Sequence, residues 1–457
     1  MSETPAEQPQ SEAPPPPPPH ADNDDLCADD LRDTWKLLTQ SDRLEGFRLL
    51  PRSAAEEFFF QLSEREQAEL VLSLPQEERR SWMRLLAPDD AADLVQNAPA
   101  SEKEKLLALL DEATRKEVTA LLAYAEDDAG GLMNPRFVRV RPEMTVDEAI
   151  AYLRKQARER VETIYYAYVL DAQQHLLGVV SFRDLFSSAA DKTVRDVMRK
   201  AIVTVSEEMD QEAVSQLFAK HAFTAVPVVD KENRMKGIVT VDDIVDVVQE
   251  EATEDVQKIG GMEALDAPYL EIGMFPMIKK RAGWLSALFL GEMLTATAMG
   301  YFEAEISKAV VLALFIPLII SSGGNSGSQA TTLVIRAMAL GEVKLGDWFR
   351  VVRREIGAGL ALGLILGTIG VTRIMIWPTR ATLYGPHYPL VAMTVGISLI
   401  GVVLFGTIAG STLPFILRRL GFDPASASAP FVATLVDVTG LVIYFTVGSA
   451  VLRGTLL

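Results

Sequence analysis

The 457-residue chain has few of the side chains that build thiolate or imidazole sites. Its one cysteine, Cys27, excludes an intrachain disulfide and any metal site with several thiolates. The four histidines (His20, His175, His221 and His387) are scattered and lack the spacing of metal ligands. The sequence also has no P-loop and no recognisable pair of nucleophile and base, so an enzyme is not predicted.

Positive charge is scarce in the first 282 residues, which hold 33 basic and 54 acidic side chains. The rest of the chain holds 11 basic and 8 acidic residues, so its net charge is slightly positive. An acidic surface repels phosphate, which argues against a nucleic-acid binder driven by counterion release. The N-terminus has neither a basic start nor an apolar run. No cleavable signal peptide is therefore predicted, and the acidic part should lie in the cytoplasm.

Long apolar runs occur only in the second part of the chain. A helix needs about 20 apolar residues to cross a bilayer. Five stretches meet this requirement, at residues 282–302, 309–335, 356–372, 388–417 and 424–452. Basic residues are concentrated before the first stretch, between the second and third, and between the fourth and fifth. The positive-inside rule therefore predicts five spans, with the N-terminus inside and the C-terminus outside.

Two carboxylates fall inside these predicted spans. Asp437 lies in the last one, and a charge at the bilayer centre costs about 2.5–3.5 kcal/mol on insertion scales. Such residues normally face a bundle interior or water, so Asp437 is a candidate for an ion pathway. A protonated or hydrogen-bonded packing residue is the alternative. Glu292, in the first span, fits an ion pathway and a helix contact equally well.

A Gly-rich stretch, FIPLIISSGGNSGSQATT, occupies residues 315–332 of the second predicted span. Its proline and glycines are expected to break or kink the helix, and broken backbone at membrane depth is protein-buried or lines a cavity. Its side-chain oxygens suit a hard cation such as Mg²⁺ or Ca²⁺. A contact between helices through small residues is the alternative. The candidate pore-lining residues are Pro317, Gly323, Gly324, Asn325, Gly327, Gln329 and, in the last span, Thr434.

The acidic part begins with a tail and a helical segment. Residues 1–29 include six consecutive prolines followed by acids, which predicts a disordered tail. Residues 30–130 contain short amphipathic helical stretches punctuated by prolines, which predicts a small superhelical domain. Within it, Asp89 or Asp90 and Asp93 lie one helical turn apart. A helix cap with a solvated face is the simplest interpretation of these acids.

Two consecutive segments, 131–195 and 196–247, share one order of predicted elements. Each ends with a glycine, two apolar residues, Ser or Thr, two more residues and Asp. In the first segment the hydroxyl and the carboxylate belong to Ser181 and Asp184. A hydroxyl and a carboxylate at a helix start suit ribose or phosphate contacts. The duplication resembles a tandem pair of CBS domains, modules that commonly sense adenine nucleotides.

An acidic connector, residues 248–278, leads into the first span. Seven acids and no base lie between residues 242 and 255. Asp243, Asp246, Glu250 and Glu254 follow steps of three and four residues, which places them on one face of a helix. Each pair of like charges at this spacing destabilises the helix by about 0.2–0.5 kcal/mol. Divalent cations would neutralise this face and allow it to pack against other acids. A solvated acidic helix is the alternative.

Together these parts resemble the MgtE family of magnesium channels over residues 30–455. The motifs SSGGNSGSQATT and FVATLVDVTG are the most specific points of the resemblance. It implies a multi-domain membrane protein with an all-α N-terminal superhelical domain, tandem α/β CBS domains, a connecting helix that acts as a plug, and a five-span pore domain at residues 279–457. It also implies a homodimer of the inner membrane that imports Mg²⁺ and closes when cytosolic Mg²⁺ is high.

The resemblance further implies roles for individual residues. Asp437 should coordinate hydrated Mg²⁺ on the dimer axis, Asn325 should line the pore, and Asp423 should face the plug. Other regulatory Mg²⁺ ligands are implied at Asp89, Asp90, Asp93, Glu212, Asp243, Asp246, Glu250, Glu254 and Asp255. Ala222 stands where the family can carry a further acid. ATP binding is implied at the CBS pair, through Asp184 and Ser181. A coupled transporter of Mn²⁺ or Co²⁺ with the same architecture is the alternative.

Overall fold

The computed structural model describes residues 27–156, 165–265, 267–270 and 272–456. Most of the predicted proline-rich tail, residues 1–26, lies outside the described residues. The chain divides into two compact units. The first runs to Asp210 and includes Ala225–Thr240, and the second contains Gln211–Thr224 and everything from Val241 onward.

The first unit begins with short helices that form the predicted helical domain. They are α1 (Ala28–Thr34), α2 (Gln40–Leu49), α3 (Arg52–Phe60), α4 (Glu64–Ser73), α5 (Gln76–Met83), α6 (Pro88–Asn97), α7 (Ala100–Leu109) and α8 (Glu112–Leu121). The short helix α9 (Ala129–Leu132) follows at the boundary with the repeated segments. Side chains cap several of the helices; for example, Ser63 accepts from the Glu66 amide and Asp111 from the Thr114 amide. Phe59 and Trp82 are almost fully buried, and their ring centroids lie 5.1 Å apart, so the domain has an aromatic core.

The repeated segments contribute two three-stranded sheets to this unit. One contains β1 (Arg139–Val140), β2 (Tyr166–Leu170) and β3 (Leu176–Ser181), and the other contains β4 (Val205–Ser206), β5 (Ala225–Val229) and β6 (Met235–Thr240). In each sheet the first strand pairs parallel and the third antiparallel with the central strand. Helices α10 (Val146–Gln156), α11 (Phe182–Ser187) and α12 (Val194–Val197) belong to the first repeat. The duplicated topology confirms the tandem α/β modules.

The second unit is helical. It contains α13 (Gln211–His221), α14 (Val241–Ile259), α15 (Met274–Tyr301), α16 (Glu303–Lys308), α17 (Ile316–Ala339), α18 (Trp348–Ile376), α19 (Arg380–Tyr384), α20 (Tyr388–Arg419) and α21 (Ala429–Val451). Five segments of the described chain are long and apolar enough to cross a membrane: Met274–Tyr301, Val310–Ala339, Leu345–Ile376, Tyr388–Arg419 and Ala429–Val451. They match the five predicted spans.

The Gly-rich stretch does not break its helix, so that prediction was wrong. α17 runs without interruption from Ile316 to Ala339. Pro317 lies in its first turn, where a missing amide hydrogen costs nothing. A Cβ atom at Gly327 would lie 2.9 Å from the Gly406 carbonyl oxygen, and one at Gly323 would lie 2.5 Å from Val402 Cγ1. These glycines therefore permit close contact with α20, which was the alternative interpretation.

The connector forms one helix that is shorter than predicted. α14 begins at Val241, directly after β6 in the chain, and ends at Ile259. The described residues between Gly260 and Gly273 are not helical, so the prediction of a helix over 248–278 fails in its second half. Gly261 has φ +76°, in the left-handed region that favours glycine, which explains why the helix stops here.

Candidate ion pathway and regulatory site

The two predicted intramembrane carboxylates come together in the structure. Asp437 of α21 is half-buried, and Glu292 of the adjacent helix α15 is close enough to interact with it electrostatically. The hydroxyls of Thr434 and Thr439 donate instead to the carbonyls of Pro430 and Leu435, at 3.0 and 2.9 Å. Neither threonine hydroxyl is thus directed at Asp437 as a donor. Two carboxylates on neighbouring helices offer hard oxygen ligands at membrane depth.

The structure separates the predicted pore-lining residues of α17 into two groups. Gly323, Gly324 and Gly327 are buried against neighbouring helices. Asn325 and Gln329 lie on an exposed face of the same helix. Gln329 also borders a shallow, open depression together with Ser328, Thr332 and Leu333 of the same helix. The glycines therefore position the helix, whereas the amide and hydroxyl oxygens remain accessible to an ion.

Four predicted regulatory acids gather where the connecting helix meets the loop before α21. Glu254 and Asp255 belong to α14, Asp423 belongs to that loop, and Glu212 belongs to α13. Burial raises the pKa of Asp255 to about 6, and Asp423 and Glu212 contribute to this shift. Three other predicted ligands, Asp243, Asp246 and Glu250, lie three, two and one turns before Glu254 on the same helix.

Lys258 is the residue of this group that sequence reasoning missed. Its Nζ atom donates to Asp423 Oδ2 at 2.6 Å and also pairs with Glu254. Although burial opposes it, these two contacts raise the pKa of Lys258. Lys258 lies four residues after Glu254, a spacing typical of helical ion pairs. That spacing could have identified the pair with Glu254, but not the contact with Asp423.

Further contacts hold the connecting helix in place within the second unit. Gln211 Nε2 of α13 donates to Glu251 Oε1 at 2.8 Å. Gln216, also in α13, donates to the Ala339 carbonyl at the end of α17 at 3.2 Å. Ile259 packs against buried Ala425 and Ala427. The acids near α14 are thus held on well-packed elements, where a change in charge affects how these elements dock.

The acids of the helical domain occupy a different setting. Asp89 is only 5% exposed, and its Oδ1 accepts from Asn134 Nδ2 at 3.1 Å. Asp90 and Asp93 are half-buried on the same helix. Within the described residues, no group of three or more His, Cys, Asp or Glu side chains has a geometry ready to hold a metal.

The predicted nucleotide-contacting pair of the first α/β module is also assembled. Ser181 caps α11, because its Oγ accepts from the Asp184 amide at 3.0 Å. Hydrogen bonding to Ser181 and the charge of Arg199 lower the pKa of Asp184, whose Oδ2 lies 3.2 Å from Arg199 Nη2. Arg199 was not predicted. It adds a cation beside the hydroxyl and the carboxylate, as a phosphate-containing ligand would require.

Three family descriptions match consecutive parts of the chain. The MgtE intracellular N domain matches residues 26–127, the CBS domain matches 129–191 and 194–250, and the MgtE divalent cation transporter domain matches 316–447. With the five candidate spans, these matches define the class: a multi-domain membrane transporter with tandem CBS modules.

Named relatives identify the family. The magnesium transporter MgtE of Thermus thermophilus is 42% identical over 427 residues, which are 93% of this chain and 93% of that protein. The magnesium transporter MgtE of Enterococcus faecalis is 34% identical over 74% of this chain and 72% of that protein. The chain therefore belongs to the MgtE family, as the sequence resemblance indicated.

Two further matches cover only the acidic part. A crystal structure of the cytosolic domain of the Mg²⁺ channel MgtE in complex with ATP is 43% identical, with a TM-score of 0.46, and covers 49% of this chain and 90% of that one. Similarity to an inosine-5'-monophosphate dehydrogenase of Aquifex aeolicus extends over 29% of this chain and is confined to the CBS region. The similarity to the dehydrogenase concerns the CBS modules alone, whereas the family matches over most of the chain place it in a transporter family and not among enzymes.

Proposed function

We propose that this protein transports Mg²⁺ across a membrane along a pathway that includes Asp437. The observation that carries the proposal is the pair of carboxylates, Asp437 and Glu292, on adjacent helices of the five-span domain. Mg²⁺ releases its waters reluctantly and is usually held by one or two carboxylates through several retained waters. The magnesium transporters among its relatives, one of them similar over 93% of the chain, support the choice of ion.

The proposed pathway closes when cytosolic Mg²⁺ is high. Glu212, Glu254, Asp255 and Asp423 repel one another when they are close, and a divalent cation compensates that repulsion. Mg²⁺ then binds the docked arrangement of the connecting helix better than the undocked one, so rising Mg²⁺ shifts the population toward docking. Asp243, Asp246 and Glu250 extend the same acidic helix. For Asp89, Asp90 and Asp93, a regulatory role stays an implication of the resemblance, and the buried contact of Asp89 with Asn134 favours a structural role for that residue.

The proposal includes a homodimer in the inner membrane, with the N-terminal domains in the cytoplasm and the C-terminus outside. No residue of α15 is buried within the chain, which leaves a face for a second copy. Arg418 and Arg419 end α20 on the side that the positive-inside rule assigns to the cytoplasm. ATP is the proposed ligand of Ser181, Asp184 and Arg199 in the first CBS module.

Flux into proteoliposomes tests this proposal. Mg²⁺ influx through the purified full-length protein should follow the Mg²⁺ gradient and should fall as Mg²⁺ on the cytoplasmic face is raised. Absence of Mg²⁺ flux in folded, reconstituted protein would overturn the proposal. Flux of Mn²⁺ or Co²⁺ that requires a proton gradient would instead support the coupled transporter.

A further inference from the structure

Lys258 occupies the point where carboxylates of two separate elements meet. Its ammonium contacts Glu254, one turn earlier on α14, and lies 2.6 Å from Asp423 Oδ2, which is 165 residues away in the chain. The other oxygen of Asp423 accepts from the Ala425 amide at 2.8 Å, so the carboxylate is fixed in orientation. The lysine therefore joins the connecting helix to the loop before α21 through its charge.

Packing beside Lys258 keeps it in this place. Ile259, the next residue, packs against Ala425 and Ala427 of the same loop. A Cβ atom at Gly261 would lie 3.1 Å from Pro430 Cγ, and the Trp284 Nε1 donates to Ser428 Oγ at 3.1 Å. The side chain of Lys258 is only 27% exposed. The ammonium is thus held near these carboxylates even if one of its two contacts opens.

We propose that Lys258 is a tethered cation that competes with Mg²⁺ for the carboxylates of Glu254 and Asp423. By occupying their meeting point, it holds part of the docked arrangement without Mg²⁺ and raises the Mg²⁺ concentration needed for full closure. This inference rests on the proposed closure by cytosolic Mg²⁺. In this proposal, Lys258 and the acids together determine the Mg²⁺ concentration at which the pathway closes.

Two opposing effects follow from removing this lysine, and their sizes decide the outcome. Loss of a partly exposed ion pair weakens docking by at most about fivefold. A unit positive charge about 4 Å from a divalent cation weakens its binding by more than about tenfold, even in a water-like dielectric. Relief of this repulsion is the larger effect. The Mg²⁺ concentration for half-closure should therefore fall.

The test compares full-length Lys258→Met with the unchanged protein in proteoliposomes, with Mg²⁺ titrated on the cytoplasmic face. We expect half-closure at a Mg²⁺ concentration at least about threefold lower in the variant. We also expect faster proteolysis of the connecting helix without Mg²⁺, since the tethered cation is gone. A lysine that acts only as a structural latch would speed proteolysis but would leave the half-closing concentration unchanged or raise it, and that result would overturn the proposal.

Two further variants complete the experiment. Lys231→Met is the matched control, because Lys231 pairs with Glu208 at 2.7 Å in the first unit and its side chain is 72% exposed. It should close like the unchanged protein. Lys258→Gln removes the same charge with a polar side chain and replaces Lys258→Met if that variant does not fold. If the unchanged protein conducts Mg²⁺ but does not close at high Mg²⁺, the regulatory part of the proposed function fails, and this inference falls with it.

Discussion

The carboxylates inside the membrane domain differ from those around the connecting helix in the charge that faces them. Asp437 and Glu292 lie on adjacent helices and interact electrostatically, and within the described residues no ion pair joins either of them to a basic side chain. Glu254 and Asp423, in contrast, share Lys258. A transport pathway must leave its acids free for a passing ion, whereas a sensor with a built-in cation responds only above a threshold. In the proposed function, this contrast distinguishes the acids that carry transport from those that regulate it.

The largest expected effect comes from the membrane pair. Asp437→Asn keeps the size of the side chain but removes its charge, so hydrated Mg²⁺ loses a charge-assisted contact. We expect Mg²⁺ flux into proteoliposomes to fall by about 10- to 100-fold. Glu292→Gln is the matched comparison and should reduce flux less, because Glu292 lies in a helix with no buried residues. Near-normal flux in Asp437→Asn would remove this residue from the pathway.

An intermediate effect is expected at the regulatory group. In Asp423→Asn the side chain still caps the Ala425 amide but loses its charge, so both Lys258 and Mg²⁺ lose a partner. The Mg²⁺ concentration for half-closure should rise by about tenfold while the maximal flux stays the same. Asp347→Asn is the control, since Asp347 pairs with Arg350 at 3.0 Å outside this group. A lowered maximal flux without a shift in half-closure would argue against a regulatory role.

The sequence predicted the spans well because length and apolar composition determine them locally. It failed on the shape of α17, since a glycine can either break a helix or let another helix approach. The partner that decides the matter, Gly406 on α20, lies 79 residues after Gly327 in the chain. The four-residue spacing of Gly323 and Gly327, repeated in Gly406 and Gly410, was the available signal for close packing.

The acids that we propose as regulatory Mg²⁺ ligands were predictable to a similar extent. Helical spacing placed Asp243, Asp246, Glu250 and Glu254 on one face, and a family resemblance pointed to Asp423. Lys258 escaped notice because its second partner comes from a distant loop, and a distant contact leaves no periodic trace in the sequence. Arg199 was missed for the same reason. It lies beside Asp184 because its backbone pairs with that of Val179 in β3.

The smallest effect on transport is expected at Asp89, where a neutral amide faces the acid. Asp89→Ala removes an acceptor of Asn134, which is 0% exposed, and the loss of a hydrogen bond to a charged group costs about 1.5–3 kcal/mol. Thermal unfolding of the full-length protein should begin at a lower temperature. The Mg²⁺ concentration for half-closure should change by less than about twofold. Asp89→Asn keeps an acceptor oxygen and should restore stability. If both variants shift half-closure by about tenfold or more, Asp89 binds a regulatory cation and its acid belongs with those around the connecting helix.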